Sequence, residues 1–227
     1  MLNEEVASTA LLLLLSVKRK LITNYNWVIH GKWVDRGDAP LTNTIEGLNV
    51  GLLGYGRIGK VIAKKLLAFN CQISYHTRNK VKNSPHKYYK TLLEMAQDIE
   101  CLIVITPGGP DTKKLVNKNV IEALGPNGTL INLARGSVVD EKALLNSIIK
   151  KKIGSVALDV FEDEPNVPRE FFNLENVVLT PHIGSSTVET RQAMLDLVVE
   201  NLELYYENKK VKTPVPECSK LVNALYK

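Results

Sequence analysis

Hydrophobic residues recur along this chain at two periods, and the switches between them mark out its elements. Residues 3–22 are apolar almost all round a helical wheel, with Val6, Ala7, Ala10, Leu11 through Leu15 and Val17. A helix of this kind must be buried against more than one layer. Asn3 reads as its N-cap, and Glu4 and Glu5 suit the positive end of its dipole. Residues 23–46 lose the period and read as a connection with a short helix near 25–30, in which Trp27 and Trp33 serve as packing anchors. From Asn49 onward short apolar runs alternate with amphipathic stretches. Strands are expected at 49–53, 71–76, 101–106, 129–133, 155–159 and 177–180, and helices at 57–70, 89–97, 118–124 and 140–152. Strands separated by helices specify a parallel sheet covered on both faces, and right-handed crossovers make it doubly wound. A last helix at 186–208 carries Met194, Leu197, Val198, Asn201, Leu202 and Tyr205 on one stripe. The tail from Lys209, with Pro214 and Pro216, reads as extended.

The first strand runs directly into Gly54-Tyr55-Gly56-Arg57-Ile58-Gly59, and a helical pattern with Ile58, Ile62, Leu66 and Phe69 on one side follows at once. Each glycine has a physical task. Gly54 permits the tight turn, Gly56 lets backbone approach a pyrophosphate, and Gly59 lets helix and strand pack closely. Free N–H groups at the helix start, with the dipole behind them, suit phosphate charge. The bare pattern is weak, but strand before and helix after make it a dinucleotide site on a Rossmann-type α/β sheet. Its ligand belongs outside the carboxyl ends of the strands.

Composition changes this picture little. The 227 residues are 44% apolar and 23% charged, ordinary for a globular chain of one large or two small domains. The formal net charge of +5 is spread over helical polar faces, so it implies solvated surface rather than nucleic-acid binding. Cys71, Cys101 and Cys218 are odd in number and lack metal-ligand spacing; Cys71 and Cys101 start expected strands, so buried free thiols in a reducing compartment are expected, and no metal. The apolar run at 11–15 is too short to span a bilayer and lacks signal-peptide flanks, so the expected location is cytoplasmic, with no membrane partner.

Which dinucleotide is written after the second strand. An acidic residue there accepts hydrogen bonds from the ribose hydroxyls of NAD. This chain instead reads Tyr75-His76-Thr77-Arg78-Asn79-Lys80. A carboxylate would repel a 2′-phosphate, whereas Arg78 and Thr77 can bind it. NADP(H) is therefore expected over NAD(H), which stays possible. The competing reading is that Arg78 and Lys80 are exposed loop charges.

Three titratable or charged groups follow later strands: Arg135, Glu164 and His182. Topology brings all three to the rim where the cofactor would lie. Carbonyl reduction needs a proton donor, which His182 can be; a carboxylate beside it would orient the ring and stabilise the imidazolium; Arg135 could hold a substrate carboxylate and polarise the carbonyl. Each also has a plainer reading, as a capping arginine, an acidic turn and a histidine satisfied by backbone.

Taken in order, Gly54-x-Gly56-Arg57-Ile58-Gly59, Pro107-x-x-x-x-Thr112, Asn132-x-x-Arg135-Gly136-x-x-Val139-Asp140, Asp159-Val160-Phe161-x-x-Glu164-Pro165 and Thr180-Pro181-His182-Ile183-Gly184 resemble the D-isomer-specific 2-hydroxyacid dehydrogenases. The turn at 75–78 and the Pro-Gly-Gly-Pro loop look most like that family's NADPH-preferring glyoxylate, hydroxypyruvate and hydroxyphenylpyruvate reductases. The resemblance implies that Arg135 binds substrate and that Glu164 and His182 form the acid/base pair. It implies that Arg57 and Ile58 meet the pyrophosphate and Asp159 the nicotinamide carboxamide. It extends cofactor contact to Thr77, Arg78, Asn79, Pro107, Thr112, Leu133, Ala134, Arg135, His182, Gly184 and Ser185.

The resemblance also implies what differs. Family members build a substrate domain largely from a first segment with no counterpart here, so the second domain is expected to be incomplete. The expected division is a cofactor domain at 1–187, including the leading interdomain helix, and a returning helix and tail at 188–227. The cleft would have one wall and the chain would be a weakly active short form. Apolar surface on the leading and final helices would be exposed unless covered, and the family's dimer interface suggests a homodimer. A reductase of small 2-oxo acids is the first reading. The second is a non-catalytic NAD(P)-binding regulatory module of the corepressor kind.

Overall fold

In the computed structural model, residues 2–215 and 218 are described. They divide into two compact units, one ending at Gly184 and one beginning at Ser185. The first unit is a seven-stranded sheet in the order β3-β2-β1-β4-β5-β6-β7, with every pairing parallel. Its strands are β1 (Asn49–Leu53), β2 (Gln72–His76), β3 (Lys87–Tyr89), β4 (Cys101–Val104), β5 (Thr129–Asn132), β6 (Ser155–Leu158) and β7 (Val177–Leu179). The order reverses at β1, so β1 and β4 part company at their carboxyl ends and leave a crevice there.

Alternation along each strand sends side chains to two separate cores. Leu53, Leu102, Val104, Leu130, Val156 and Leu158 pack beneath α5 (Leu92–Asp98), α6 (Lys118–Ala123) and α7 (Glu141–Ile149). Val50, Leu52, Ile73, Tyr75, Ile103, Ile131 and Ala157 face α1 (Leu2–Lys18) and α4 (Arg57–Leu66). Cys71 and Cys101 are free and buried, as expected, and burial pushes the Cys101 thiol up to about 12.

Three expectations need correction. The leading helix is not continuous to residue 22. Lys20 turns left-handed (φ 47°), the Asn24 side-chain amide donates to the Arg19 carbonyl (2.9 Å), and α2 (Leu21–Ile29) starts after that turn. Burial explains the break: α1 sinks Ala7, Ala10, Leu13, Leu14 and Val17 into the core, whereas α2 buries no residue. At its other end, Asn3 lies inside α1 rather than capping it. Second, Trp27 anchors its segment, its indole N–H donating to the Gly37 carbonyl (2.9 Å), but Trp33 in α3 (Lys32–Arg36) is 60% exposed. Third, Tyr89 belongs to an edge strand, β3, which the sequence reading missed. Helix α5 starts only after Thr91, whose hydroxyl caps the Glu94 N–H.

The second unit is built on α8 (Val188–Asn208), capped by Thr187 at its start and closed by a left-handed Lys209. The expected apolar stripe is there and exposed: Met194, Leu197, Val198, Leu202 and Tyr205 are all at the surface. Leu12 on α1, and Leu21, Ile22, Tyr25, Val28 and Ile29 on α2, are exposed too. Pro216, part of the expected extended tail, lies outside the described residues.

Candidate active site

At the switch point the glycine loop makes the floor of a groove of about 800 Å³. Gly54 turns at φ +105°, with the backbone of Ile105 3.0 Å from where a Cβ would be. Around Gly56 no atom lies within 4 Å of that position, so the loop is open on the groove side. At Gly59 a Cβ would stand 2.4 Å from the Gly54 carbonyl oxygen. Helix α4 begins here without a side-chain cap, leaving its first N–H groups for a ligand. Gly59→Val should therefore lower stability by about 1–3 kcal/mol through overpacking and abolish tight nucleotide binding. Thermal unfolding and a nucleotide titration check this, and a variant as stable and as tight as the parent contradicts it.

Gly54, Gly56, Arg57, Ile58, Gly59, Thr77, Arg78, Asn79, Pro107 and Thr112 all line this groove, as do Asn3, Tyr55, His76 and Asp111, which the sequence reading did not name as cofactor contacts. The uncapped helix and open loop fit a pyrophosphate, and no carboxylate stands on the 77–80 turn. Arg78 reaches toward Asp111 across the groove (3.8 Å), both side chains well exposed. The Thr77 hydroxyl donates to the Asn79 carbonyl (2.7 Å) and closes the turn.

A second cavity, about 710 Å³, adjoins the first and shares Ile58 and Ile105 through Gly109 with it. Leu133, Ala134, Arg135, Glu164 and His182 line it, together with Thr106, Ser137 and Glu162. His182 Nδ1 lies 2.8 Å from Glu164 Oε2. A carboxylate only accepts, so Nδ1 carries the proton and Nε2 is left for a substrate. Partial burial pushes the Glu164 carboxyl up. Hydrogen bonds from His182 and the Phe161 N–H, with the charges of His182 and Arg135, outweigh that and hold it below the usual carboxylate value. The Arg135 guanidinium donates to the Ala134 carbonyl (2.6 Å). A Cβ on Gly108 would stand 2.8 Å from the Arg135 Cγ, so that glycine leaves the arginine its room.

His182 itself sits at φ 53°, a strained conformation for a non-glycine residue. The restraint comes from Asp159, which is 1% exposed. Its carbonyl accepts the His182 N–H, and its carboxylate accepts from the Thr180 hydroxyl (2.6 Å) and from the N–H groups of Ile183 (2.8 Å) and Gly184 (2.9 Å). Asp159 and Gly184 line neither of the two cavities, and their hydrogen bonds brace the turn carrying the histidine. Ser185 opens the second unit.

Comparison with known proteins places this geometry. The pattern of the D-isomer specific 2-hydroxyacid dehydrogenase, NAD binding domain, matches residues 11–184. Glyoxylate/hydroxypyruvate reductase A of Arabidopsis thaliana is 46% identical over 214 residues, covering 94% of this chain and 68% of that one. Hydroxyphenylpyruvate reductase of Plectranthus scutellarioides is 45% identical with the same coverage. Among solved structures, the NADPH-dependent glyoxylate/hydroxypyruvate reductase of Sinorhizobium meliloti, in complex with NADP and malonate, superposes with a TM-score of 0.91 at 47% identity, over 95% of this chain and 68% of that one. The chain thus spans about two thirds of the length of these relatives. No helix among the described residues is long and apolar enough to cross a membrane. Fold, sequence and site lead to one conclusion: this chain belongs to the D-isomer-specific 2-hydroxyacid dehydrogenases, with the NAD-binding domain of that family.

Proposed function

We propose that the chain reduces a small 2-oxo acid of the glyoxylate or hydroxypyruvate kind, NADPH + 2-oxo acid + H⁺ giving NADP⁺ + D-2-hydroxy acid. The observation that carries this is the His182–Glu164 pair, in one cavity with Arg135 and opening onto the glycine-loop groove. NADPH, when bound, supplies the hydride. The glycine loop and the start of α4 hold its pyrophosphate, and Arg78 its 2′-phosphate. Arg135 takes the substrate carboxylate and polarises the carbonyl with its planar fork. His182 gives a proton from Nε2 to the carbonyl oxygen and keeps the one on Nδ1, bonded to a Glu164 that stays ionised throughout. Names of relatives that reduce glyoxylate and hydroxypyruvate, and the NADP in the Sinorhizobium structure, support the substrate class and the cofactor.

The pair is open to water, with the His182 and Glu164 side chains 48% and 35% exposed. Turnover by this chain alone is therefore slow, since poorly excluded water weakens both the ion pair and substrate positioning. The test is a fluorescence titration with NADPH and NADH, followed by glyoxylate and hydroxypyruvate in the same cuvette. Tighter NADPH binding with slow oxidation is expected. No nucleotide binding, or full turnover at once, overturns respectively the cofactor site or the argument from exposure. Arg78→Ala should weaken NADPH about ten-fold or more, the range of a charge-assisted contact, and leave NADH within two-fold. An unchanged preference removes Arg78 from the reading.

A further inference from the structure

The turn expected to read the 2′-phosphate is built from beneath by two phenols. Arg78 has a side chain 90% exposed and, among the described residues, one distant partner, Asp111, so packing does not aim its guanidinium. Its aim is set by the backbone of residues 77–81. That backbone is held at both ends. At one end the Tyr88 hydroxyl donates to the Thr77 carbonyl (3.3 Å). At the other, the Tyr75 hydroxyl accepts the Val81 N–H (3.1 Å) and donates to the Val81 carbonyl (3.4 Å). Tyr75 is fully buried, and its ring stacks on that of Tyr55 at 4.5 Å, inside the glycine loop between Gly54 and Gly56. Tyr88 leans on Tyr75 at 5.5 Å from the edge strand β3. The rings therefore support the pyrophosphate loop, while the hydroxyls support the turn.

We propose that Tyr75 and Tyr88 are positioning residues for cofactor selection: their hydroxyls hold the 77–81 turn so that Arg78 meets a ribose 2′-phosphate. This rests on the NADPH reading above. A turn whose backbone is already held loses less freedom when Arg78 closes on a ligand, so the hydroxyls act on affinity for the phosphorylated nucleotide in particular.

Tyrosine-to-phenylalanine changes separate the two functions, because they keep the ring stack and remove only the hydroxyl. The variants are Tyr88→Phe, whose phenol is half-buried, and the double variant with Tyr75→Phe. Dissociation constants are measured by fluorescence for NADPH and NADH, and by competition for adenosine 2′,5′-bisphosphate and AMP, with Arg78→Ala in parallel. The expected result is an affinity for NADPH and the bisphosphate lower by about three- to ten-fold per hydroxyl, the range of a neutral hydrogen bond, with NADH and AMP within two-fold. Using the ratio of the two nucleotides, and Tyr88→Phe alone should the double variant unfold, keeps the result independent of general stability. Equal weakening of all four ligands, or an unchanged ratio where Arg78→Ala destroys the preference, overturns the proposal and leaves the NADPH reading intact. An unchanged ratio in Arg78→Ala itself overturns that reading, and the inference with it.

Discussion

His182→Gln should lower the rate of NADPH oxidation by glyoxylate or hydroxypyruvate about 10²- to 10⁴-fold, the usual contribution of a positioned general acid, and change NADPH affinity far less. Glutamine reaches about as far as histidine and can hydrogen-bond the carbonyl oxygen, but it has no proton to give at neutral pH. Its cavity is the second one, whereas the glycine loop, the 77–80 turn and Asp111 line the first. Rate and binding should therefore separate cleanly. Stopped-flow absorbance gives the rate and a nucleotide titration the affinity; a variant that keeps its rate would strip His182 of the proton-donor role. The pair also makes acid sensitivity specific. Because the Glu164 value is depressed in the fold, its contribution to stability is present above the ordinary carboxylate range and lost as pH falls through the lowered value. Glu164 is partly exposed, so solvent screens this contribution and it stays small. Activity, by contrast, should fall steeply there, since a protonated Glu164 no longer sets a negative charge beside the imidazolium.

The parts of this fold that local pattern determines were legible. β1, the glycine turn and α4 form one uninterrupted signal. The strand ends then put Arg135, Glu164 and His182 on one rim before any geometry was known. What was not legible depends on contacts distant in sequence. The break at Lys20 follows from α1 sinking into the sheet while α2 stays at the surface, which no periodicity in an apolar run reveals. β3 has three residues and exists because Lys87, Tyr88 and Tyr89 pair with Ser74, Tyr75 and His76. Asp159 is the instructive residue. The family resemblance implied a ligand contact for it, and the fold surrounds its carboxylate with three protein donors from the His182 turn. Thr180-Pro181-His182 was the available signal, because a hydroxyl two residues before His182 is well placed to fix its turn.

Arg135→Ala should lower kcat/KM for a 2-oxo acid by about 10²- to 10³-fold, the range seen when a donor to a developing oxyanion is removed. Gly108 leaves open the space that the arginine fills, the loop after β5 directs it into the second cavity, and among the described residues its guanidinium has one hydrogen bond, to the neighbouring Ala134 carbonyl. Most of its donors are consequently free for substrate. Its charge is also felt at Glu164, where it helps to keep the carboxyl ionised, so alanine weakens the acid/base pair as well as the substrate grip. Both kcat and KM should move, unlike in His182→Gln, where the loss falls on kcat. Arg135→Lys restores the charge at Glu164 but not the planar fork. It should recover kcat more than KM. A lysine variant that recovers both equally would mean that Arg135 acts as a point charge and does not hold the substrate carboxylate in a fixed orientation.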